Sequence, residues 1–270
     1  MSSAADLRLT SGEPVTPERA GWRYLSFHVE RLAAATILGG PGRETAIVVL
    51  AGGGVRIDDH ELPGRASVWD GKASAAYLPA GTTASVAPLG EWVEVAVAEA
   101  PAKPVGELHL IGPGDVPVEI RGAGNATRQI NHIITPEFAA HRLEVVEVYT
   151  PSGNWSSWPP HKHDTDDMPR EAILEEIYHY RFRRPDAWGV QRLYRADGSR
   201  DVLWAVRDGE TVIVPDGYHP FVATHGDDAY YLNALAGDTR TMACSFDPAL
   251  DRVRADWASM EPDPRAPLVK

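Results

Sequence analysis

The sequence is poor in cysteine: Cys244 is the one thiol in 270 residues. A single thiol excludes an internal disulfide and is typical of a protein that folds in a reducing compartment. Residues 1–6 lack a basic segment followed by an apolar one, and the longest charge-free apolar run, near residues 46–55, is too short to cross a bilayer. The sequence therefore predicts a cytoplasmic protein that does not bind a membrane.

Basic residues are also scarce. Lys and Arg number 26 against 38 Asp and Glu, which gives a formal net charge of −12 without any basic stripe or tail. A nucleic-acid partner is therefore not expected. An anionic substrate would have to be met by local cations, because the overall field is negative. The apolar content of 43% is enough for the core of one large or two ordinary domains.

Long stretches of helical periodicity are missing as well. From residue 22 onward, short apolar segments are separated about every eight to twelve residues by turns rich in glycine and proline, such as Pro63-Gly64. This rhythm predicts an all-β protein made of sandwiches or barrels. The break at Ile111-Gly112-Pro113-Gly114 divides the chain into an N-terminal unit, residues 1–113, and a C-terminal unit, residues 114–270.

The polar residues that indicate chemistry lie in the second unit. His161 and His163 are separated by one residue of an extended segment, so their side chains point to the same face. Glu176 lies in the next apolar strand, and His219 follows the turn Pro215-Asp216-Gly217. Three imidazoles and a carboxylate suit one borderline divalent ion, with Zn²⁺ preferred over Mn²⁺, Fe²⁺ and Ni²⁺. Taken alone, the two histidines of the pair could equally be solvated loop residues beside an acidic run.

A weak internal repeat indicates two similar halves. In the first half, Glu44 opens an apolar strand and Pro79-Ala80-Gly81 follows a later strand. In the second half, Glu176 and Pro215-Asp216-Gly217 have a similar spacing. The first half has neither a His-x-His motif nor a histidine after its turn, so it is predicted to lack the metal and to support the second half.

These motifs resemble those of the cupins, which are small antiparallel barrels with His-x-His, then Glu, then a later His. More narrowly, the longer strings are similar to the 5-deoxy-glucuronate isomerases of bacterial myo-inositol catabolism. Those strings are residues 146–164, 174–178, 191–194, 214–220 and 230–237, with looser agreement at 64–69 and 76–79. Trp158 stands where that family usually has a tyrosine.

The resemblance implies a bicupin, with two antiparallel double-stranded β-helix (jelly-roll) barrels in one chain. It further implies an aldose–ketose isomerase that acts on a small uronate and converts 5-deoxy-D-glucuronate to 2-deoxy-5-keto-D-gluconate. Metal binding by His161, His163, Glu176 and His219 matches the pattern of the related uronate ketol-isomerases. A divalent ion that holds two adjacent substrate oxygens would stabilise the charge of an enediolate.

Other residues are candidates for direct roles in such a reaction. Tyr178 and Asn233 are predicted to face the interior and to contact substrate oxygens or relay a proton, although each could equally be a core residue. The substrate carboxylate is best met by the planar guanidinium of an arginine. Arg192 is the first candidate, followed by Arg181 and Arg121, and a surface ion pair is the alternative for each.

Two other functions are compatible with the same ligands. An iron-dependent cupin dioxygenase would use three histidines and a glutamate, and a non-catalytic cupin would bind only sugar or metal. The long motif strings favour the isomerase. A homodimer formed through exposed strands of the first unit is compatible with the sequence but not required by it.

Overall fold

A computed structural model describes residues 7–270. Residues 1–6, which are predicted to belong to the N-terminal unit and to carry no export signal, lie outside the described residues. The described chain is almost entirely β-structure, which confirms the predicted all-β class. Every pair of named strands in it is antiparallel. None of the helices within residues 7–270 has the length and apolar character that a bilayer crossing requires.

The strands in chain order are β1 (Arg8–Leu9), β2 (Ser26–Leu32), β3 (Thr36–Gly39), β4 (Arg43–Ile57), β5 (His60–Arg65), β6 (Ala75–Leu78), β7 (Thr83–Pro88), β8 (Val93–Pro101), β9 (His109–Ile111), β10 (Val118–Arg121), β11 (Arg128–Ile134), β12 (Leu143–Thr150), β13 (Trp155–Ser156), β14 (His161–Lys162), β15 (Leu174–Phe182), β16 (Trp188–Tyr194), β17 (Asp201–Arg207), β18 (Thr211–Val214), β19 (Phe221–Ala223), β20 (Ala229–Gly237) and β21 (Ser245–Phe246). The helical segments are α1 (Pro17–Ala20), α2 (Val253–Asp256) and two 3-10 turns, Pro113–Asp115 and Trp257–Ser259.

The strands form two sets that follow the two halves of the chain. Strands β2 to β9 make one sheet, with the central order β2-β8-β4-β6-β9. The second half has a seven-stranded sheet in the order β1-β18-β15-β20-β12-β11-β10, a four-stranded sheet β13-β19-β16-β17 and the short pair β14-β21. Within the described residues, strand pairing does not close any of these sheets on itself. The two-barrel arrangement therefore stays a prediction.

The long strand β4 shows how the halves pack. Its run Ala46-Ile47-Val48-Val49-Leu50 is buried on both faces, which explains why it is apolar without alternation. Ile47 and Val49 point into a core inside the first half, whereas Ala46, Val48 and Leu50 join a core shared with strands of the second half. The two halves therefore share one apolar interface.

The same strand pairings correct the register of the predicted repeat. In the first half, β4 pairs with β8 and β6, and Glu44 lies opposite Ala100. In the second half, β15 pairs with β20 and β18, and Glu175 lies opposite Ala236. Glu44 is therefore the counterpart of Glu175 and not of Glu176. A shift of one residue moves a side chain to the other face of a strand, so the counterpart of Glu176 in the first half is Thr45.

Each of these two matched carboxylates binds the other half of the chain. Glu44 accepts hydrogen bonds from the backbone N–H groups of residues 141–143, at the start of β12. Glu175 accepts hydrogen bonds from the N–H groups of residues 23–25, just before β2. The edge strand β1 likewise pairs with β18 of the second half. The halves are therefore joined by reciprocal contacts as well as by apolar packing.

Candidate active site

A cavity of about 830 Å³ lies on the inner face of the seven-stranded sheet. Four of its strands contribute alternate residues, as expected for side chains that share one face. These residues are Arg128, Ile130 and His132 of β11, Val146 and Val148 of β12, Leu174, Glu176 and Tyr178 of β15, and Tyr231, Asn233 and Leu235 of β20. The opposite wall comes from residues 157–163 and from the C-terminal segment, including Met242, Phe246 and Trp257.

The structure brings the three predicted histidines together, and two of them, His161 and His163, line this cavity. One ring nitrogen from each of His161, His163 and His219 lies within 4.8 Å of the others. The ring centroids of His161 and His219 are 4.6 Å apart, and those of His163 and His219 are 5.0 Å apart. His161 is held by the pairing of β14 with β21, opposite Phe246. Lys162 points away from the cluster and binds Asp164 and Glu171, as alternation along the strand requires.

Glu176 completes the cluster. Its Oε2 lies 2.7 Å from Nε2 of His163 and 3.2 Å from Nε2 of His219. Its Oε1 accepts a hydrogen bond of 2.6 Å from Nδ2 of Asn233, which also donates to the Ile177 carbonyl. Asn233 therefore fixes the orientation of the carboxylate, a role that is typical of residues surrounding metal ligands.

The hydrogen bonds of two histidines indicate which ring nitrogen is free. Nδ1 of His163 lies 2.9 Å from the Leu174 carbonyl oxygen, and Nδ1 of His219 lies 2.9 Å from the Gly217 carbonyl oxygen. Since a carbonyl can only accept, each Nδ1 donates, and in a neutral ring the lone pair is on Nε2. Both lone pairs then face the carboxylate of Glu176. Nε2 of His219 is buried and has no hydrogen-bond partner, so this arrangement fits a cation.

Burial and mutual charge set the protonation of the cluster. Burial lowers the pKa of His161 well below its usual value, and His219 and His163 lower it further. Burial likewise lowers the pKa of His219. For Glu176, burial opposes ionisation, but His219 and His163 outweigh it and lower the pKa to about 2. For His163, burial favours the neutral ring, but Glu176 outweighs it and the pKa rises. A site with an ionised carboxylate and mainly neutral imidazoles can bind a borderline divalent metal ion.

Tyr178 lies beside this cluster, with its ring centroid 5.9 Å from that of His219. Its ring stacks on Tyr231 with centroids 4.4 Å apart, and its hydroxyl is 2.6 Å from the hydroxyl of Ser157. Burial raises the pKa of Tyr178 well above its usual value. The phenol therefore keeps its proton at neutral pH and can donate a hydrogen bond to a bound oxygen.

Arg192, the first candidate for carboxylate binding, is not brought into the cavity. It lies on β16, where its Nε and Nη2 each donate a hydrogen bond of 2.8 Å to Asp201. Its guanidinium also stacks over Tyr194 near the surface. Neighbouring residues of a strand face opposite sides. Gln191, which precedes Arg192 on β16, is the one of the two that is buried, and it accepts a hydrogen bond from Tyr180. Arg192 was predicted to bind the substrate carboxylate, and its position outside the cavity, paired with Asp201, disagrees with that role.

The other two predicted arginines differ from each other. Arg181 lies outside the cavity, where it forms ion pairs with Glu94 and Asp208. Arg121 lines the cavity, but Glu119 binds its guanidinium at 2.7 and 2.8 Å. Both arginines therefore already have counter-ions within the described part of the chain.

Sequence reasoning missed three polar residues of this sheet. Arg128 and His132 line the cavity from β11. Glu144 precedes Val146 on the same face of β12, and neither of its buried carboxylate oxygens has a hydrogen-bond partner. Burial raises the pKa of Glu144 to about 7. Side chains alternate along β11 and β12. This alternation identifies the three residues once it is known which face of the sheet lines the cavity.

Comparisons with known proteins agree with these observations. The profile of the KduI/IolB family matches residues 5–253. A protein named 5-deoxy-glucuronate isomerase, from Geobacillus kaustophilus (strain HTA426), is 42% identical over 254 residues, which cover 88% of this chain and 89% of that protein.

A solved structure of an IolB-like protein is also similar to this chain. The crystal structure of an IolB-like protein from Salmonella typhimurium LT2 has a TM-score of 0.86 at 36% identity, over 92% of this chain and 99% of that one. The oxalate decarboxylase of Lactobacillus farciminis, in a formate complex, has a TM-score of 0.63 at 11% identity, over 97% of this chain and 96% of that one. At an identity this low, the similarity shows only that the fold is cupin-like.

Proposed function

The chain belongs to the KduI/IolB family, and we propose that it is a metal-dependent aldose–ketose isomerase that converts 5-deoxy-D-glucuronate to 2-deoxy-5-keto-D-gluconate. The observation that carries the proposal is the convergence of His161, His163, His219 and Glu176, three of which, His161, His163 and Glu176, line the cavity. The 42% identity to a protein named for this activity supports the choice of reaction.

The proposal extends to the surroundings of the reaction. We assign the chain to inositol catabolism in the cytoplasm, in agreement with its single cysteine. The repeated pairing of β4, β6 and β8 and of β15, β18 and β20 supports a bicupin with units 1–113 and 114–270. Zn²⁺ is the proposed ion, ahead of Mn²⁺, Fe²⁺ and Ni²⁺, and a homodimer is the proposed assembly. Elemental analysis would identify the bound ion, and sedimentation velocity would determine whether the chain forms a dimer.

In this reaction a proton moves between two adjacent carbons while the carbonyl changes place. A divalent ion held by the four ligands would polarise the carbonyl and lower the pKa of the neighbouring hydroxyl. The protein itself fixes the ligands, since the Leu174 and Gly217 carbonyls select the tautomers of His163 and His219. Asn233 holds the carboxylate of Glu176.

The cavity also controls protons and water. Tyr178 retains its phenolic proton and can donate to a substrate oxygen on which negative charge develops. Apolar walls from Val146, Val148 and Leu235 reduce the access of water, which strengthens such hydrogen bonds. In this proposal Tyr178 and the apolar walls bind and orient the substrate.

His161→Ala tests the site. We expect the variant to lose most of its bound metal, measured by mass spectrometry of the folded protein, and nearly all of its turnover, measured by NMR in D₂O. Deuterium uptake at the former aldehyde carbon is expected for proton transfer. The matched control is His225→Ala, which removes an exposed histidine of the same half and should keep both metal and turnover.

Three outcomes would count against the proposal. Undiminished isomerisation by metal-free His161→Ala would defeat the assignment of the site. Oxygen consumption by iron-loaded wild-type protein, without isomerisation, would support a dioxygenase instead. Metal binding without any turnover would indicate a non-catalytic cupin.

A further inference from the structure

Arg128 is the buried arginine of the cavity whose charge has no counter-ion within residues 7–270. The residue is 6% exposed, and its Nη1 donates to the carbonyl oxygens of Ala126 and Trp158 at 3.1 and 3.2 Å. The comparably buried Arg65, which is 5% exposed, forms an ion pair with Glu147. A guanidinium is almost never buried without a partner, so the exception at Arg128 requires an explanation.

The neighbouring strand makes the lack of a counter-ion more costly. Arg128 lies directly opposite Arg121 in the pairing of β11 with β10, and like charges at opposite positions are unfavourable. Glu119 neutralises Arg121 from the same strand. Burial lowers the pKa of Arg128 to about 10, so the side chain still carries its charge at neutral pH. Within residues 7–270, Arg128 therefore forms no ion pair, because the nearby carboxylate of Glu119 is bound to Arg121.

The backbone is shaped to hold this guanidinium. Gly122 has φ +84, and a Cβ atom there would lie 2.1 Å from the Ala126 carbonyl oxygen and 2.9 Å from Nη1 of Arg128. Only glycine allows this close approach. The carbonyls of Ala126 and Trp158 then fix one edge of the guanidinium. The site is therefore preorganised for an anion that binds the remaining N–H groups.

The other arginines of the cavity are less suited to this role. Arg170 pairs with Asp167 and its side chain is 78% exposed. Arg254 pairs with Asp251 and its side chain is 49% exposed. Exposed pairs of this kind contribute little to binding, because water competes for the same groups.

We propose that Arg128 binds the carboxylate of the sugar-acid substrate and thereby makes the cavity selective for uronates over neutral aldoses. This inference rests on the proposed function. In a uronate the carboxylate lies at the opposite end of the carbon chain from C1 and C2, so one cavity lined by Arg128 and by His161, His163 and Glu176 can address both ends. A bidentate pair between guanidinium and carboxylate gives both affinity and orientation.

The test compares Arg128→Gln and Arg128→Lys with wild type. For 5-deoxy-D-glucuronate we expect Arg128→Gln to raise KM about 100-fold, with a smaller change in kcat. Lysine should restore part of the affinity, because it supplies a charge but lacks the planar fork. With 5-deoxyglucose, which has no carboxylate, the two variants should match wild type. Metal content should be unchanged in each, and Arg192→Gln, whose side chain lies outside the cavity, is the control.

Two further measurements separate this inference from the proposed function and from a structural role. Calorimetric titration with D-gluconate, which has a carboxylate but no aldehyde, should detect binding to wild type and lose it in Arg128→Gln. Arg128→Met should melt at or above the wild-type temperature without ligand, because it removes an unpaired buried charge. Equal gluconate affinity in wild type and Arg128→Gln, or an unchanged KM, would overturn the inference whether or not the protein is an isomerase. A wild type that binds gluconate through Arg128 yet does not isomerise the uronate would defeat only the proposed function.

Discussion

The substitution Glu44→Ala tests how the first half supports the second. The carboxylate of Glu44 is fully buried and accepts four hydrogen bonds. Oε1 binds the N–H groups of Arg142 and Leu143 at 2.6 and 2.9 Å. Oε2 binds the N–H group of His141 and the hydroxyl of Tyr77, each at 2.7 Å. The substitution therefore leaves the start of β12 without its acceptor.

The expected cost follows from these contacts. A hydrogen bond to a charged group contributes roughly 1.5–3 kcal/mol, and the contributions do not add because water and small shifts compensate in part. Each buried donor that is left without an acceptor costs about 1–3 kcal/mol, and for the four donors of Glu44, with this partial compensation, we expect Glu44→Ala to cost about 3–5 kcal/mol. For a chain of this length each kcal/mol lowers the Tm by about 2–4 °C, so a fall of roughly 6–20 °C is expected.

The assay combines urea denaturation, a thermal melt and elemental analysis of the folded protein. Metal content per folded chain should equal that of wild type, because Glu44 is the counterpart of Glu175 and lies outside the histidine cluster. Glu91→Ala, at an exposed position of the same half, is the matched control and should change neither quantity. A cost below about 1 kcal/mol would refute the anchoring role, since such a value is within the range of surface substitutions. Loss of metal from folded Glu44→Ala would show that the two halves share metal binding.

Three further predictions concern other buried groups. Arg65→Met should lower the free energy of unfolding by about 3–5 kcal/mol, because Glu147 stays buried without its cation, and Arg65→Met combined with Glu147→Gln should recover much of the loss in urea. Glu144→Gln should raise the free energy of unfolding by roughly 3 kcal/mol at pH 8 and have little effect below pH 4. The pKa of Glu144 rises from 4.5 to about 7 on folding, so its ionisation costs stability as the pH rises through this window; equal effects at both pH values would contradict it. Tyr178→Phe should keep the metal and lower kcat about 100-fold if the phenol donates a proton, and an unchanged kcat would assign the ring to packing.

The sequence by itself was sufficient for the all-β class and for the expectation that three histidines lie close together. Both depend on local rules: side chains alternate along a strand, and glycine or proline marks where a strand ends. Alternation was enough to place His161 and His163 on one face. The turn before His219 led to the expectation that this residue joins them, and the ring of His219 lies 4.6 Å from that of His161 and 5.0 Å from that of His163.

Only the tertiary structure decided the residues whose roles depend on strand pairing. The register of β4 against β8 equates Glu44 with Glu175, and a pattern in one strand does not contain that information. In the same way, Arg192 and Arg128 are equally basic in the sequence. One meets Asp201 outside the cavity and the other meets two carbonyls inside it. A counter-ion is a long-range contact, so the charge that is free to bind a ligand is determined by which strands lie side by side.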